Sequence, residues 1–170
     1  MKKKVIILIS LLMLWQISVF AYANSVRRLS PTSADWSLLI NLENFTDQNY
    51  PDPSGGDRYV LAAREDEGVT VSVFIERFDK KMSPAACRSF YEKKTADAPM
   101  KRTNLKSYKK SNMAFFEYDV KTHNGQDVDF HSLNVFLSRE NYCIDVHISK
   151  NPYNKNRKLF DAIVDSLKIE

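Results

Sequence analysis

VDFHSLNVFLSRENYCIDVHIS, residues 128–149, contains two extended runs, VDFHSLNVFLS and YCIDVHIS, separated by Arg139, Glu140 and Asn141. A connection this short makes the runs antiparallel neighbours, because parallel strands need a crossover of a dozen residues or more. In the second run Tyr142, Ile144, Val146 and Ile148 alternate with Cys143, Asp145 and His147. Side chains on a strand point to opposite faces in turn, so one face is apolar and the other carries the chemically interesting groups. Pairing across a three-residue turn sets residues summing to about 280 opposite each other, which puts His131 against position 149 and diagonal to His147.

Working outward, His123-Asn124-Gly125-Gln126 reads as the turn before this hairpin, preceded by the strand MAFFEYDV (113–120) and a short extended segment around Leu105 to Lys109. Further upstream RYVLAAR (58–64) and VTVSVFIERF (69–78) flank Glu65-Asp66-Glu67-Gly68, and the glycine supplies the positive φ that a tight reversal requires. Val69, Val71, Val73 and Ile75 share one face, while Phe74 and Phe78 lie on the other. A strand with apolar groups on both faces is expected at the centre of a sheet. Ser83-Pro84 predicts a helix start, with a capping hydroxyl before a proline whose missing N–H costs nothing in the first turn. The helix should cover 84–94, with Cys87, Phe90 and Tyr91 as its inward stripe.

Residues 95–104 (TADAPMKRTN) read as a connection, since Pro99 prevents the helix from continuing. Trp36, Leu38, Ile40 and Leu42 alternate as a first strand, and 46–57 (TDQNYPDPSGGD) has the composition of a surface loop. At the other end, Leu159, Phe160, Ile163, Val164 and Leu167 give a closing helix its buried stripe. The order is strands, helix, strands, helix, mostly joined by hairpins. It predicts an α+β fold, a central mainly antiparallel sheet of about six to seven strands with helices packed on it.

Lys2, Lys3 and Lys4 precede an apolar run from Val5 to Phe20 and then Ala21-Tyr22-Ala23. That is the order of a signal peptide over residues 1–23, with cleavage before Asn24. Residues 24–35, polar and containing Pro31, read as a flexible leader, and 36–170 as a single domain. The expected product is exported, periplasmic or extracellular, and does not span a membrane after cleavage. Three of the 25 basic residues leave with the signal, so 22 remain against 21 acidic ones. A near-neutral domain argues against nucleic acid as a partner.

The succession of the GVTVSVFIE strand, the SPAACRSFY helix, the MAFFEYDV strand, the NVFLSRENYCIDVHISK hairpin and the LFDAIVDSL helix resembles the Mog1/PsbP-like α/β/α sandwich. Small exported bacterial proteins similar to PsbP and DcrB, many of unknown function, have this arrangement. The resemblance spans most of residues 36–169 and rests on element order and hydrophobic style. It implies helices on both faces of an antiparallel sheet and a non-enzymatic role as an accessory or binding module. It carries over no functional residue, and fold does not fix function.

Cys87 and Cys143 are the only cysteines, and an even pair in an exported chain is most simply a disulfide, with two separately buried thiols as the alternative. Cys143, Asp145 and His147 could instead hold a metal, but same-face neighbours lie about 6.7 Å apart along a strand, so one strand supplies two ligands at most. That leaves His131 and His147 as a diagonal pair to consider, and no metal site is expected. Lys93, Lys94, Lys101, Arg102, Lys106, Lys109 and Lys110 form a locally basic stretch. It reads first as a solvated helix end and loop, and second as a docking patch for an unknown protein or envelope component.

No GxSxG, HExxH, P-loop or GxGxxG occurs, and four glycines cannot build a phosphate cradle. No cofactor is implied and no enzyme is expected. Two alternatives to a binding module stay open. One is a thiol- or histidine-dependent hydrolase around Cys143, His131 and His147. The other is a carrier of a small apolar ligand, which requires a cavity between helix and sheet lined by residues such as Phe74, Phe78, Phe115 and Phe136.

Overall fold

The computed structural model describes residues 25–32, 34–48, 58–154 and 156–170. The signal at 1–23 and most of the loop at 46–57 lie outside the described residues. By contacts the described residues fall into two compact units, one of residues up to Phe45 together with Ser166–Glu170, and one of Thr46–Asp165.

In the first unit β1 (Val26–Leu29), β2 (Leu38–Asn41) and β10 (Lys168–Ile169) form a three-stranded sheet in the order β1-β2-β10. Both outer strands run antiparallel to β2. Part of the stretch whose composition reads as leader is therefore a strand. Nothing periodic marks VRRL, but each of its residues finds a partner on β2, from Val26 with Asn41 to Leu29 with Leu38. The chain end does not continue the closing helix either: Ser37 and Glu170 exchange both backbone hydrogen bonds, and Arg28 reaches the Glu170 carboxylate at 2.9 Å.

The second unit contains β3 (Thr46–Asp47), β4 (Arg58–Arg64), β5 (Val69–Arg77), α1 (Pro84–Lys94), β6 (Met100–Lys110), β7 (Met113–His123), β8 (Gln126–Arg139), β9 (Tyr142–Lys150) and α2 (Lys158–Asp165). Its seven strands form one sheet in the order β3-β4-β5-β9-β8-β7-β6, every neighbour antiparallel. β5 is central, as its two apolar faces require. A 3-10 turn over Glu65–Glu67 and Gly68 at φ 63° joins β4 to β5. A side chain at Gly68 would strike the Asn151 carbonyl oxygen, 2.1 Å from the added carbon. Asn124 and Gly125, both at positive φ, turn β7 into β8 as two-residue hairpin loops require.

The helices lie on opposite faces of this sheet. On one face Ala114, Phe116, Tyr118, Val120, Phe136 and Cys143 form a core with Cys87 and Tyr91 of α1. On the other, Val71, Val73, Leu133, Val135, Ile144, Val146 and Ile148 are almost fully buried, and Phe160 of α2 lies 5.8 Å, ring to ring, from His131.

The β8–β9 hairpin differs from expectation by one residue. Arg139 joins the strand and pairs with Tyr142, so the loop is only Glu140 and Asn141, with Glu140 at φ 54°. Two-residue loops match the twist of a hairpin better than longer ones. His131 consequently pairs with Lys150 instead of position 149, and a one-residue slip moves a side chain to the opposite face. His131 and His147 are not a diagonal pair, because the sheet lies between them.

A second difference concerns residues 100–104, which extend the sheet instead of connecting to it. β6 covers eleven residues, with irregularities at Lys101/Arg102 and Thr103/Lys106. Asn104 takes φ 52° there and donates to Asp119 at 2.6 Å. Basic residues along this outermost strand oppose edge-to-edge pairing with another sheet.

Candidate functional site

The helix that covers the site is fixed by local chemistry. Ser83 Oγ accepts the Ala86 N–H at 3.2 Å, and Pro84 occupies the first turn. Cys87 then bonds Cys143 of β9, with sulfurs 2.01 Å and Cα atoms 5.6 Å apart. One turn on, Tyr91 stacks on Phe136 at 5.7 Å. Between this end of α1 and the sheet lies a cleft of about 310 Å³ whose apolar wall includes Phe74, Met100, Phe116 and Phe136.

Polar groups converge on the same space. Asp145 is 5 % exposed, and both its oxygens accept from the Asn134 amide, at 2.9 and 3.1 Å. Burial pushes its carboxyl up to about 7; the Asn134 hydrogen bond opposes the rise, Glu76 adds to it and Lys94 reduces it. His147, one pleat along β9, is pushed down to about 4 by burial and, secondarily, by the Arg102 charge. It is therefore neutral at pH 7, with Nε2 enclosed and without a hydrogen-bond partner among the described residues. Arg102 lies over the rings of Tyr118 at 4.9 Å and Phe116 at 6.0 Å. Burial raises the Tyr118 hydroxyl, and the Arg102 charge partly offsets this.

These positions revise the sequence reading. Asp145 and His147 lie inside the sheet: β9 sits between β5 and β8, so both side chains point under α1. Of the aromatics named for an apolar cavity, Phe74 and Phe136 line it. Phe115 is on the opposite face, stacked 4.8 Å from Tyr108, and Phe78 packs edge-on against Phe90 at 4.9 Å. Tyr91, Phe116 and Tyr118 were missed as lining. The alternation Ala114, Phe116, Tyr118, Val120 was the available signal.

The basic stretch divides. Lys94 pairs with Glu76 at 2.5 Å and Arg102 turns into the cleft. Lys93, Lys101, Lys106, Lys109 and Lys110 are exposed. Among the described residues no group of three or more His, Cys, Asp or Glu could hold a metal ion.

His131 has partners of its own on the α2 face. Nδ1 bonds Asp119 at 2.7 Å, and Nε2 is 3.1 Å from Glu117, an ion-pair distance without hydrogen-bond geometry. Arg157 also reaches Glu117 at 2.5 Å, and Tyr153 stacks on the imidazole at 4.0 Å. The imidazole is thus held between two carboxylates, with a hydrogen bond to Asp119 alone.

No protein-family model and no curated protein matches the chain. Among solved structures it is similar to cyanobacterial PsbP (CyanoP) from Synechocystis, at 16% identity over 86% of this chain and 93% of that one, with a TM-score of 0.55. It is also similar to LpqN of Mycobacterium tuberculosis, a protein involved in cell envelope biogenesis, at 13% identity over 86% of this chain and 79% of that one, TM-score 0.42. The likeness to CyanoP is one of fold. The chain has a PsbP-like α+β fold, as the resemblance implied. Among the described residues no helix is long and apolar enough to cross a membrane.

Proposed function

We propose, from the PsbP-like fold as premise, that this is an exported, non-enzymatic binding module of the cell envelope that holds a small, largely apolar ligand between α1 and the sheet. The cleft carries this reading. Its size is that of small-molecule sites, which combine an apolar wall with a few convergent polar groups. The Cys87–Cys143 bond and the N-terminal sequence both support an oxidising, extracytoplasmic address.

The hydrolase alternative loses its parts. A thiol nucleophile needs a free thiolate beside a base, whereas Cys143 is bonded and the two histidines lie on opposite faces. Docking through the exposed lysines of β6 is the second reading, but charged side chains on an edge strand are explained by protection of that edge.

The test is fluorescence titration of the mature protein with N-phenyl-1-naphthylamine, a neutral apolar reporter. One equivalent should bind, and Ala98→Trp, which fills the space beside α1, should abolish binding. No binding, or binding unchanged in Ala98→Trp, would overturn the reading.

A further inference from the structure

The charges lining the cleft are not evenly matched. Lys94 meets Glu76 at 2.5 Å, Arg88 meets Glu92 at 3.3 Å, and both oxygens of Asp145 face the Asn134 amide. Arg102 is left over: among the described residues no carboxylate forms an ion pair with it. One of its terminal nitrogens donates to the Thr95 carbonyl at 2.8 Å and the guanidinium also hydrogen-bonds the Tyr118 hydroxyl, while its Nε–H is enclosed and has no acceptor among the described residues. The guanidinium is held against Tyr118 and Phe116, so its planar fork is oriented before anything binds. An enclosed donor without a partner is costly, and a carboxylate is the group whose geometry best matches a guanidinium.

A second open atom points the same way. His147 Nε2 is also enclosed and has no hydrogen-bond partner among the described residues, and a neutral imidazole protonated there donates one hydrogen bond. Resting on the reading of the cleft as a ligand site, we infer that its ligand is a small carboxylate with a flat apolar body, the head held by Arg102 and His147 and the body by Phe74, Phe116 and Phe136. A monoanion fits better than a phosphate dianion, because Glu76, Glu92 and Asp145 line the same space and each added negative charge is repelled.

The experiment compares 2-naphthoate with its neutral isostere 2-naphthamide by calorimetry on the mature protein. The acid should bind about tenfold tighter or more, the range of a charge-assisted hydrogen bond. Arg102→Met should erase that preference, bringing the acid down to the affinity of the amide in the same variant. Should Arg102→Met not fold, Arg102→Lys keeps the cation without the Nε–H, and should retain only part of the preference. Equal affinities in wild type, or an undiminished preference in the Arg102 variant that folds, would overturn the carboxylate assignment and leave the cleft standing. Failure of both naphthalenes and of the neutral reporter would overturn the site itself.

Discussion

His131 and His147 occupy the two strands of one hairpin, yet their surroundings are opposite in kind. His131, on the α2 face, lies between Asp119 and Glu117 with Tyr153 stacked on its ring. His147, on the α1 face, has no carboxylate partner among the described residues, and its Nε2 is enclosed without a hydrogen bond at the wall of a cleft. The rest of each face follows the same division. The α2 face of β9 presents Ile144, Val146 and Ile148, while its α1 face presents Cys143, Asp145 and His147. Buried polar groups are expensive unless paired. On the α2 face carboxylates flank the imidazole, whereas on the α1 face His147 and Arg102 have no carboxylate in an ion pair among the described residues and border a cleft with an apolar wall.

The largest way to break this contrast is to release α1. Replacing both Cys87 and Cys143 by alanine removes a cross-link of sequence separation 56, which in the loop-entropy model lowers stability by about 4 kcal/mol. Urea denaturation measures the loss. Native-state hydrogen exchange should show α1 amides losing protection while those of β5 and β9 keep theirs; equal loss throughout would mean the faces are not independent.

A comparable effect is hidden in the pH dependence. Asp145 takes up its proton more readily folded than unfolded, so its contribution to stability falls as pH rises from 3.8 to about 7. His147 resists its proton when folded, so its contribution falls as pH drops from 6.5 to about 4. The two slopes oppose each other and nearly cancel between them. Relative to wild type, Asp145→Asn should gain about 3 kcal/mol as pH rises from 4 to 7, and His147→Gln about 3 kcal/mol as pH falls from 6.5 to 4. Unfolding free energies at pH 4, 5.5 and 7 decide this; parallel curves for all three proteins would refute it.

Packing offers a smaller contrast. Ile144 is fully buried on the α2 face, and Ile144→Ala should cost about 3 kcal/mol. Phe74 is half-buried and already borders the cleft, so Phe74→Ala should cost only about 1 kcal/mol. If thermal unfolding shows equal losses, the cleft is packed as tightly as the core. Least affected should be Lys94→Met. Its ion pair with Glu76 is 44 % exposed at the lysine, and such pairs contribute less than about 1 kcal/mol.

Features with local causes were legible in the sequence. The helix boundaries at Pro84 and Lys94, the Ser83 cap, the Gly68 reversal and the Asn124-Gly125 turn each depend on a few adjacent residues. The strands β5, β7, β8 and β9 were visible from alternation. The short strands β1 and β10 were not, since VRRL and KI carry no pattern and become strands only through partners on β2. The row Cys143, Asp145, His147 was visible as a shared face, and Arg102 was visible only as one basic residue among seven.

By itself the sequence determined the α+β class, the polarity of each strand face and the helix that would cover one of them, because these follow from periodicity and capping. Tertiary structure alone decided which groups meet. Whether Arg139 belongs to a turn or a strand is a difference of one residue, invisible to hydrophobic pattern, yet it sends His131 to the far side of the sheet from His147. The joining of β6 to the sheet likewise turned Arg102 from a loop cation into the unmatched charge of the cleft. Register and long-range pairing set these neighbours, and both are properties of contacts between strands rather than of any strand read alone.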